Sequence, residues 1–357
     1  MSGWLKLRRG VVVDASPLTV EIGGERRRAW ADAALLGEMR EGDEVVVNVA
    51  ALDLALGSGG FDIVHVNLTR GLEASGEGRE HVIKLNYTSL QHPVEPAELP
   101  VCFSNRDGTK STPERRKATM PVLVLPLHGH LAPAAWAAAQ AAPGLKLGYV
   151  QSGGGALPGS LSRDLAQLRE RGLLCGHVTA APAYGGEHEA LSVAGALDAA
   201  AGGLGWDAAL VGPGPGIIGS ATRLGHGGMA ALDNAHAALA LGLPTLLSPR
   251  LSESDPRERH CPVSHHTLTV LELLLGAVEI AMPGRSPEVA SRLTDVSGGR
   301  HELRETEPDV DGYVASGLPA RTMGRGIEDD RLFFAAPLAA GKILGASPAG
   351  AALRREE

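Results

Sequence analysis

The pattern of apolar and polar positions changes in character near residue 120. Before this point, short alternating runs such as RRGVVVDA, LTVEIGG and EGDEVVVNV are separated by turn residues, which is typical of antiparallel strands. After it come six continuous apolar runs, each followed by a helical pattern; they begin at residues 122, 146, 174, 207, 244 and 277. Strands that are apolar on both faces and alternate with helices predict a parallel sheet with helices on both sides.

This change predicts two domains. We expect a small SH3- or OB-like β-barrel over residues 1–70 and a Rossmann-like, doubly wound, mainly parallel α/β domain over residues 120–345. Residues 71–119 contain long polar, turn-rich stretches, so we expect them to connect the two domains. Residues 346–357 are expected to form a frayed tail. The pattern leaves the order of the strands open.

Composition narrows the class of protein. With 44% hydrophobic and 21% charged residues the chain resembles an ordinary soluble globular protein, and its net charge of −8 argues against a general nucleic-acid coat. It contains no run of 18 apolar residues, and its start, MSGWLKLRRG, lacks the apolar segment of a signal peptide. We therefore expect a cytoplasmic protein without a membrane segment, and we leave a homo-oligomer open.

Two common cofactors are not expected. The chain has six lysines, and none lies in a loop expected to form the active site, which argues against Schiff-base chemistry and so against PLP. Gly214, Gly216 and Gly219 match the GxGxxG pattern. However, this loop contains prolines and belongs to the fourth strand–helix unit, so NAD binding is also not expected.

Long polar loops follow the apolar runs, whereas short turns precede them. The long loops include LHGHL, QSGGGALPGS, GPGPGIIGSATRLGHGG and SPRLSESDPRERHCPVSHH, and the short turns include PGLK, RGLL and GLPT. In doubly wound sheets ligands bind outside the carboxyl ends of the strands. The asymmetry therefore predicts one functional face, built from the long loops.

The densest of these loops, residues 252–266, contains most of the candidate catalytic residues. Ser264 is expected to cap the following helix, which places His265 and His266 in its first turn, where the helix dipole favours neutral imidazole. Neutral imidazoles can bind a metal, polarise an oxygen or accept a proton. The candidate catalytic residues are His128, Asp255, His260, Ser264, His265 and His266.

Arginines and glycines of the same loops are the candidate ligand-binding residues. Guanidinium groups hold carboxylates and phosphates, and glycine-rich turns let backbone N–H groups approach an anion. The candidates are Gly153, Gly154, Gly155, Gly212, Gly214, Gly216, Arg257, Arg259 and Arg325. The structural alternatives are plain tight turns for the glycines and pairing of Asp255 with the arginines.

The histidines also leave a divalent metal open as a cofactor. His128 and His130 form an H-x-H pair after the first apolar run, an arrangement that can direct two imidazoles toward one ion. Further ligands could come from Glu187, His188, Asp233 and His236. No HExxH motif is present, so the sequence does not identify a metal.

Several strings together resemble one family. They are GSGGFD at 57–62, HVIKLNYTSLQ at 81–91, SGGGALP at 152–158, GPG at 212–214, DPRERHCPVSHH at 255–266 and TMGRG at 322–326. In this order they resemble the uncharacterised bacterial proteins grouped as domain of unknown function 3866 (DUF3866). The resemblance spans nearly the whole chain, but it implies no reaction and no catalytic residue. Cys261, although it lies within one of these strings, and His130 of LHGHL are not part of the family pattern.

Three hypotheses of function follow. The first is an enzyme, a hydrolase or group transferase, that acts on a small anionic substrate, for example a nucleotide-derived one, at the carboxyl ends of the strands. The second is a non-catalytic ligand-binding or sensory protein with the same pocket. The third is a nucleic-acid-associated protein that uses the barrel and its basic run Arg26, Arg27 and Arg28. Nucleic acid is the least expected partner because a charge run in a hairpin is usually a solvated face.

Overall fold

The protein is described from a computed structural model. The structure describes residues 5–56, 59–72, 82–98 and 119–347. Contacts divide the chain into two compact units, Met1–Arg79 and Glu80–Glu357.

The first unit is a closed five-stranded β-barrel, which confirms the predicted N-terminal barrel. Its elements are β1 (Leu7–Ala15), β2 (Leu18–Ile22), β3 (Glu25–Trp30), the single-turn helix α1 (Ala33–Leu36), β4 (Glu44–Asn48), the single-turn helix α2 (Ala50–Asp53) and β5 (Asp62–Asn67). The strands follow the order β1-β2-β3-β5-β4, and β3–β5 is the one parallel pair in it. The alternating pattern of the sequence points one set of valines inward to form the core: Val12, Val20, Val45, Val47, Val49 and Val64.

The basic run of the barrel is partly neutralised. Arg27 binds Asp62 through Nε at 2.6 Å and Asp53 through Nη2 at 2.7 Å. Arg26 and Arg28 are exposed. This leaves two of the three guanidinium groups on the surface.

A short hairpin begins the described part of the second unit. It consists of β6 (Val82–Lys84) and β7 (His92–Val94). The buried ammonium of Lys84 donates to the carbonyl oxygens of Thr179 and Ala183 and contacts Glu189 Oε2, at 2.8, 2.5 and 2.6 Å. Part of the expected connector is therefore attached to the α/β unit; residues 73–81 and 99–118 of that connector lie outside the described residues.

Eight parallel strands form the sheet of the second unit. They are β8 (Val122–Val124), β9 (Leu147–Ser152), β10 (Gly176–Ala180), β11 (His188–Ala190), β12 (Ala208–Pro213), β13 (Thr245–Leu247), β14 (Glu279–Pro283) and β15 (Glu302–Thr306). Their order is β11-β10-β9-β12-β8-β13-β14-β15. All six predicted apolar runs form strands, and the parallel α/β fold is confirmed.

Helices cover both faces of this sheet. They are α3 (Leu131–Ala141), α4 (Arg163–Glu170), α5 (Val193–Ala201), α6 (Ala230–Ala240), α7 (His265–Leu273), α8 (Pro287–Asp295), α9 (Val310–Ala315) and α10 (Arg331–Gly345); β16 (Arg321–Thr322) and β17 (Arg325–Gly326) form a small hairpin before α10. One core contains α3, α4, α9 and α10, and the other contains α5 to α8. Alternate residues of β8 enter the two cores: Leu123 joins the first, and Val122 and Val124 join the second. In the part of the chain that the structure describes, no helix combines the length and apolar character needed to cross a membrane.

The strand order creates a crevice beside the central strand. The helix after β8 packs on one face, whereas the helices after its neighbours β12 and β13 pack on the other. The connections therefore diverge at the carboxyl end of β8. This is where doubly wound folds bind ligands.

Candidate functional site

A cavity of about 510 Å³ lies at this crevice. Its walls come from the loops that follow β8, β12 and β13, from the first turn of α4 and from the β16–β17 hairpin. Five histidines line it: His128, His226, His260, His265 and His266. Four arginines line it as well: Arg250, Arg257, Arg259 and Arg321. Among the described residues of the lining, Asp164 is the one carboxylate.

Four of the histidines form a compact cluster at the start of α7. Ser264 caps this helix by accepting the N–H of His266 at 3.2 Å, and its Oγ lies 2.7 Å from His260 Nδ1. The rings of His226 and His266 are stacked, with centroids 3.6 Å apart and planes only 8° from parallel. His265 meets both rings edge-on, and the centroid of His260 lies 5.1 Å from that of His265 and 5.0 Å from that of His266.

The tautomer of His226 follows from its hydrogen bond. Its Nε2 lies 3.0 Å from the carbonyl oxygen of Arg223. Because a carbonyl oxygen only accepts, Nε2 carries the proton of the neutral ring and Nδ1 keeps its lone pair. This Nδ1 is buried and has no hydrogen-bond partner among the described residues.

Burial keeps all four imidazoles of the cluster neutral. Desolvation, reinforced by Arg250 and neighbouring groups, lowers the pKa of His260 to about 3 and that of His266 to about 2. Desolvation is also the main reason why the pKa values of His226 and His265 are lowered. Such rings are weak bases at neutral pH, so they are better suited to binding a metal or donating a hydrogen bond than to accepting a proton.

Asp255 supports the arginines from behind the cavity wall. Its fully buried carboxylate accepts from Arg257 Nε and Nη2, both at 2.9 Å, from Arg250 Nη2 at 3.1 Å and from Arg325 Nη2 at 3.3 Å. Burial opposes ionisation of Asp255, but the hydrogen bonds from Arg257 outweigh it and hold the pKa of this carboxyl below its usual range. The alternative considered from the sequence, pairing of Asp255 with the arginines, is therefore present. It fixes the positions of the guanidinium groups of Arg250, Arg257 and Arg325.

The H-x-H pair divides between the cavity and the core. His128 lines the cavity; its Nε2 lies 2.7 Å from Ser162 Oγ, and its Nδ1 lies 3.3 Å from the carbonyl oxygen of Pro213. His130 is fully buried and contacts Ser248 Oγ at 2.9 Å through Nδ1. The two imidazoles therefore do not share a ligand site.

Of the candidate glycines, Gly216 lies in the lining of the cavity. A Cβ on Gly155 would overlap the carbonyl oxygen of Gly214, and one on Gly154 would lie 2.5 Å from the carbonyl oxygen of Gly227. A Cβ on Gly212 would lie 2.9 Å from the Cβ of Leu125. A Cβ on Gly153 would lie 3.2 Å from the Cδ of Pro182. Close packing between loops accounts for these positions, whether or not their N–H groups meet a ligand.

The structure brings together residues that sequence reasoning only partly foresaw. Within the described ranges, one group of three potential ligands has its atoms within 4.8 Å of one another, and it consists of His226, His265 and His266. His226 was not among the candidates, although its loop was. The available signal was a histidine in a glycine-rich segment, GHGG, directly before a helix. Of the other metal candidates, Glu187 pairs with Arg169, and His236 Nε2 accepts the N–H of Leu275 at 3.1 Å.

The same cavity loops fall inside a known family. A family model described as "Protein of unknown function (DUF3866)" matches residues 28–341. The chain belongs to the DUF3866 family. The matched range contains every residue that lines the cavity. Neither a curated protein nor a solved structure matches the chain.

Ser264→Ala is expected to lower the free energy of unfolding by about 1–2 kcal/mol, because it removes the cap of α7. It also removes the partner of His260 Nδ1, so the loss should exceed that of Ser286→Ala, a cap on α8 that accepts only the N–H of Val289, at 3.4 Å. Urea denaturation of both variants measures the difference. A smaller loss for Ser264→Ala than for Ser286→Ala would contradict this account of the cap.

Proposed function

We propose that the protein is an enzyme, a hydrolase or group transferase, that binds a small anionic substrate in the cavity at the carboxyl ends of β12, β8 and β13. The observation that carries the proposal is the charge of the wall. Four guanidinium groups line the cavity, and the carboxylate among its described lining residues is that of Asp164. Asp255, behind the wall, is shared by Arg250, Arg257 and Arg325, so the wall keeps an excess of positive charge that an anionic ligand would offset.

The arginines differ in how much of their hydrogen-bonding capacity is free. Arg257 uses Nε and Nη2 to bind Asp255, which leaves Nη1 as a donor, and its side chain is 45% exposed. Arg259 is exposed and has no acidic partner among the described residues. We therefore expect the side chains of Arg257 and Arg259 to contact the substrate first. The buried Arg250 adds positive charge to the wall of the cavity.

The remaining lining supports a substrate with a carbon skeleton beside its anionic group. Leu127, Ile217, Ile218 and Met323 lie in the same cavity as the arginines. The neutral imidazoles lie next to the anion site and can hold or polarise an oxygen of the substrate. Pockets that combine apolar walls with a few convergent polar groups are typical small-molecule sites.

Arg257→Gln is expected to weaken binding of small oxyanions at least tenfold, because it removes a charge-assisted hydrogen bond worth about 1.5–3 kcal/mol. The measurement is calorimetric titration with inorganic phosphate and with short phosphate and carboxylate esters, followed by assays for cleavage of the same esters. Arg292→Gln is the matched control, since Arg292 lies on α8 and pairs with Glu288.

Equal affinities for the Arg257 and Arg292 variants would overturn the anion site. Binding that depends on Arg257 but is never followed by cleavage or transfer of any ester would favour the non-catalytic ligand-binding protein instead.

A further inference from the structure

We propose that His226, His265 and His266 form a binding site for a divalent transition-metal ion such as Zn²⁺. One nitrogen from each ring lies within 4.8 Å of the others. Three imidazoles are a ligand set that zinc uses when a coordination position is left for water or substrate. The site faces the cavity, because all three rings belong to its lining.

The unpartnered Nδ1 of His226 points independently to a ligand. Buried ring nitrogens in proteins are nearly always hydrogen-bonded, so this buried lone pair needs an explanation. The other nitrogen of the same ring, Nε2, donates to the carbonyl oxygen of Arg223 at 3.0 Å. A backbone carbonyl on the far nitrogen is the support that metal-bound histidines usually have, since it fixes the tautomer and the orientation of the ring.

The donor set selects the class of ion. It contains three imidazole nitrogens and no carboxylate, whereas Ca²⁺ and Mg²⁺ require oxygen ligands. Imidazole suits zinc, copper, iron and nickel.

The stacked rings imply a movement on binding. A metal lies in the plane of each imidazole that binds it, so two parallel rings 3.6 Å apart cannot bind one ion together. One of them must turn about its side-chain bonds. His226 is held by Arg223, whereas the hydrogen-bond contact of the His266 ring is a long one of 3.4 Å from Arg250 Nη1 to Nδ1. The ring of His266 is therefore the one that turns.

The neighbouring arginines affect what the ion can do. Arg250 would repel a cation, but its charge is offset by Asp255 at 3.1 Å. An anion bound by Arg257 and Arg259 would lie in the same cavity and would attract the ion. The three histidines would hold the ion in the cavity that Arg257 and Arg259 also line. A catalytic use of the ion rests on the function proposed above, whereas metal binding itself does not.

The test is titration of chelator-treated, full-length protein, without a histidine tag, with Zn²⁺ alone. Calorimetry and elemental analysis after gel filtration are expected to give one ion per chain. His226→Gln and His265→Gln should each weaken binding at least tenfold. His236→Gln is the control, because His236 binds the N–H of Leu275 instead. Thermal unfolding of each apoprotein establishes that the variants are folded.

Co²⁺ provides a second readout on the same proteins. The wild type and the His236 variant should develop the intense visible bands of a four-coordinate ion, and the His226 and His265 variants should not. Absence of binding to the wild type, or binding that both ligand variants retain, would overturn the metal site. Phosphate affinity that still depends on Arg257 would then leave the anion-binding function standing, so the two proposals fail separately.

Discussion

Asp255→Asn is expected to lower the free energy of unfolding by about 3–5 kcal/mol, because it leaves a buried guanidinium without its counter-charge. The substitution preserves the size of the side chain and changes its charge. Arg250, which is only 3% exposed, loses its acidic partner at 3.1 Å. Burial already lowers the pKa of Arg250 to about 10 even with Asp255 present.

Arg257→Gln is the matched comparison for this prediction. It removes another partner of Asp255, but the buried carboxylate keeps its contacts with Arg250 and Arg325, and the guanidinium that is lost is itself 45% exposed. We expect a loss of at most about 1 kcal/mol. Urea denaturation at neutral pH measures both variants, and comparable losses would show that Asp255 is not the central support of the arginines.

The effect of Asp255 should also depend on pH. Its pKa is lowered in the folded protein, so its contribution to stability is fully present above the unfolded pKa of about 4. The contribution is lost as the pH falls through the lower folded value. The gap in stability between wild type and Asp255→Asn is therefore expected to be constant from pH 7 to 5 and to shrink below pH 4. A gap that is unchanged at pH 3 would contradict the assignment.

The fold was predictable where the chain is buried on both sides. The apolar runs of β8 and β12 could be recognised because neither strand contacts water. The edge strands β11 and β15 were not predicted, since HEA is very short and ELRET is almost entirely polar. An edge strand is half-exposed and is stabilised mainly by backbone pairing, which leaves little trace in the sequence. The strand order depends on which face of the sheet each helix covers. The local pattern of apolar and polar residues does not carry this long-range information.

The grouping of residues in the candidate site was predictable only where those residues are close in sequence. Ser264, His265 and His266 were identified because a helix cap and its first turn are local features. His226 joins them from the loop before α6, and the contact exists only because the chain brings α6 and α7 side by side. Ser162 was likewise missed as the partner of His128, for the same reason. The grouping of loops at one end of the sheet was the part of the site that topology made predictable.

Gly155→Ala is expected to destabilise the protein by about 3 kcal/mol, because its Cβ would collide with backbone that cannot move aside as a side chain would. The atom in the way is the carbonyl oxygen of Gly214, in the loop after β12. Gly153→Ala, in the same loop, meets only the ring of Pro182 at 3.2 Å and should cost about 1 kcal/mol or less.

Phosphate titration of the two alanine variants separates packing from ligand binding at these glycines. If the loop serves mainly to let two backbones approach, Gly153→Ala should bind phosphate as the wild type does. In that case Gly155→Ala should lose affinity only together with stability. If Gly155→Ala is as stable as the wild type and loses phosphate affinity, the packing explanation is wrong. The glycine-rich loop would then hold the anion through its N–H groups, as the sequence suggests.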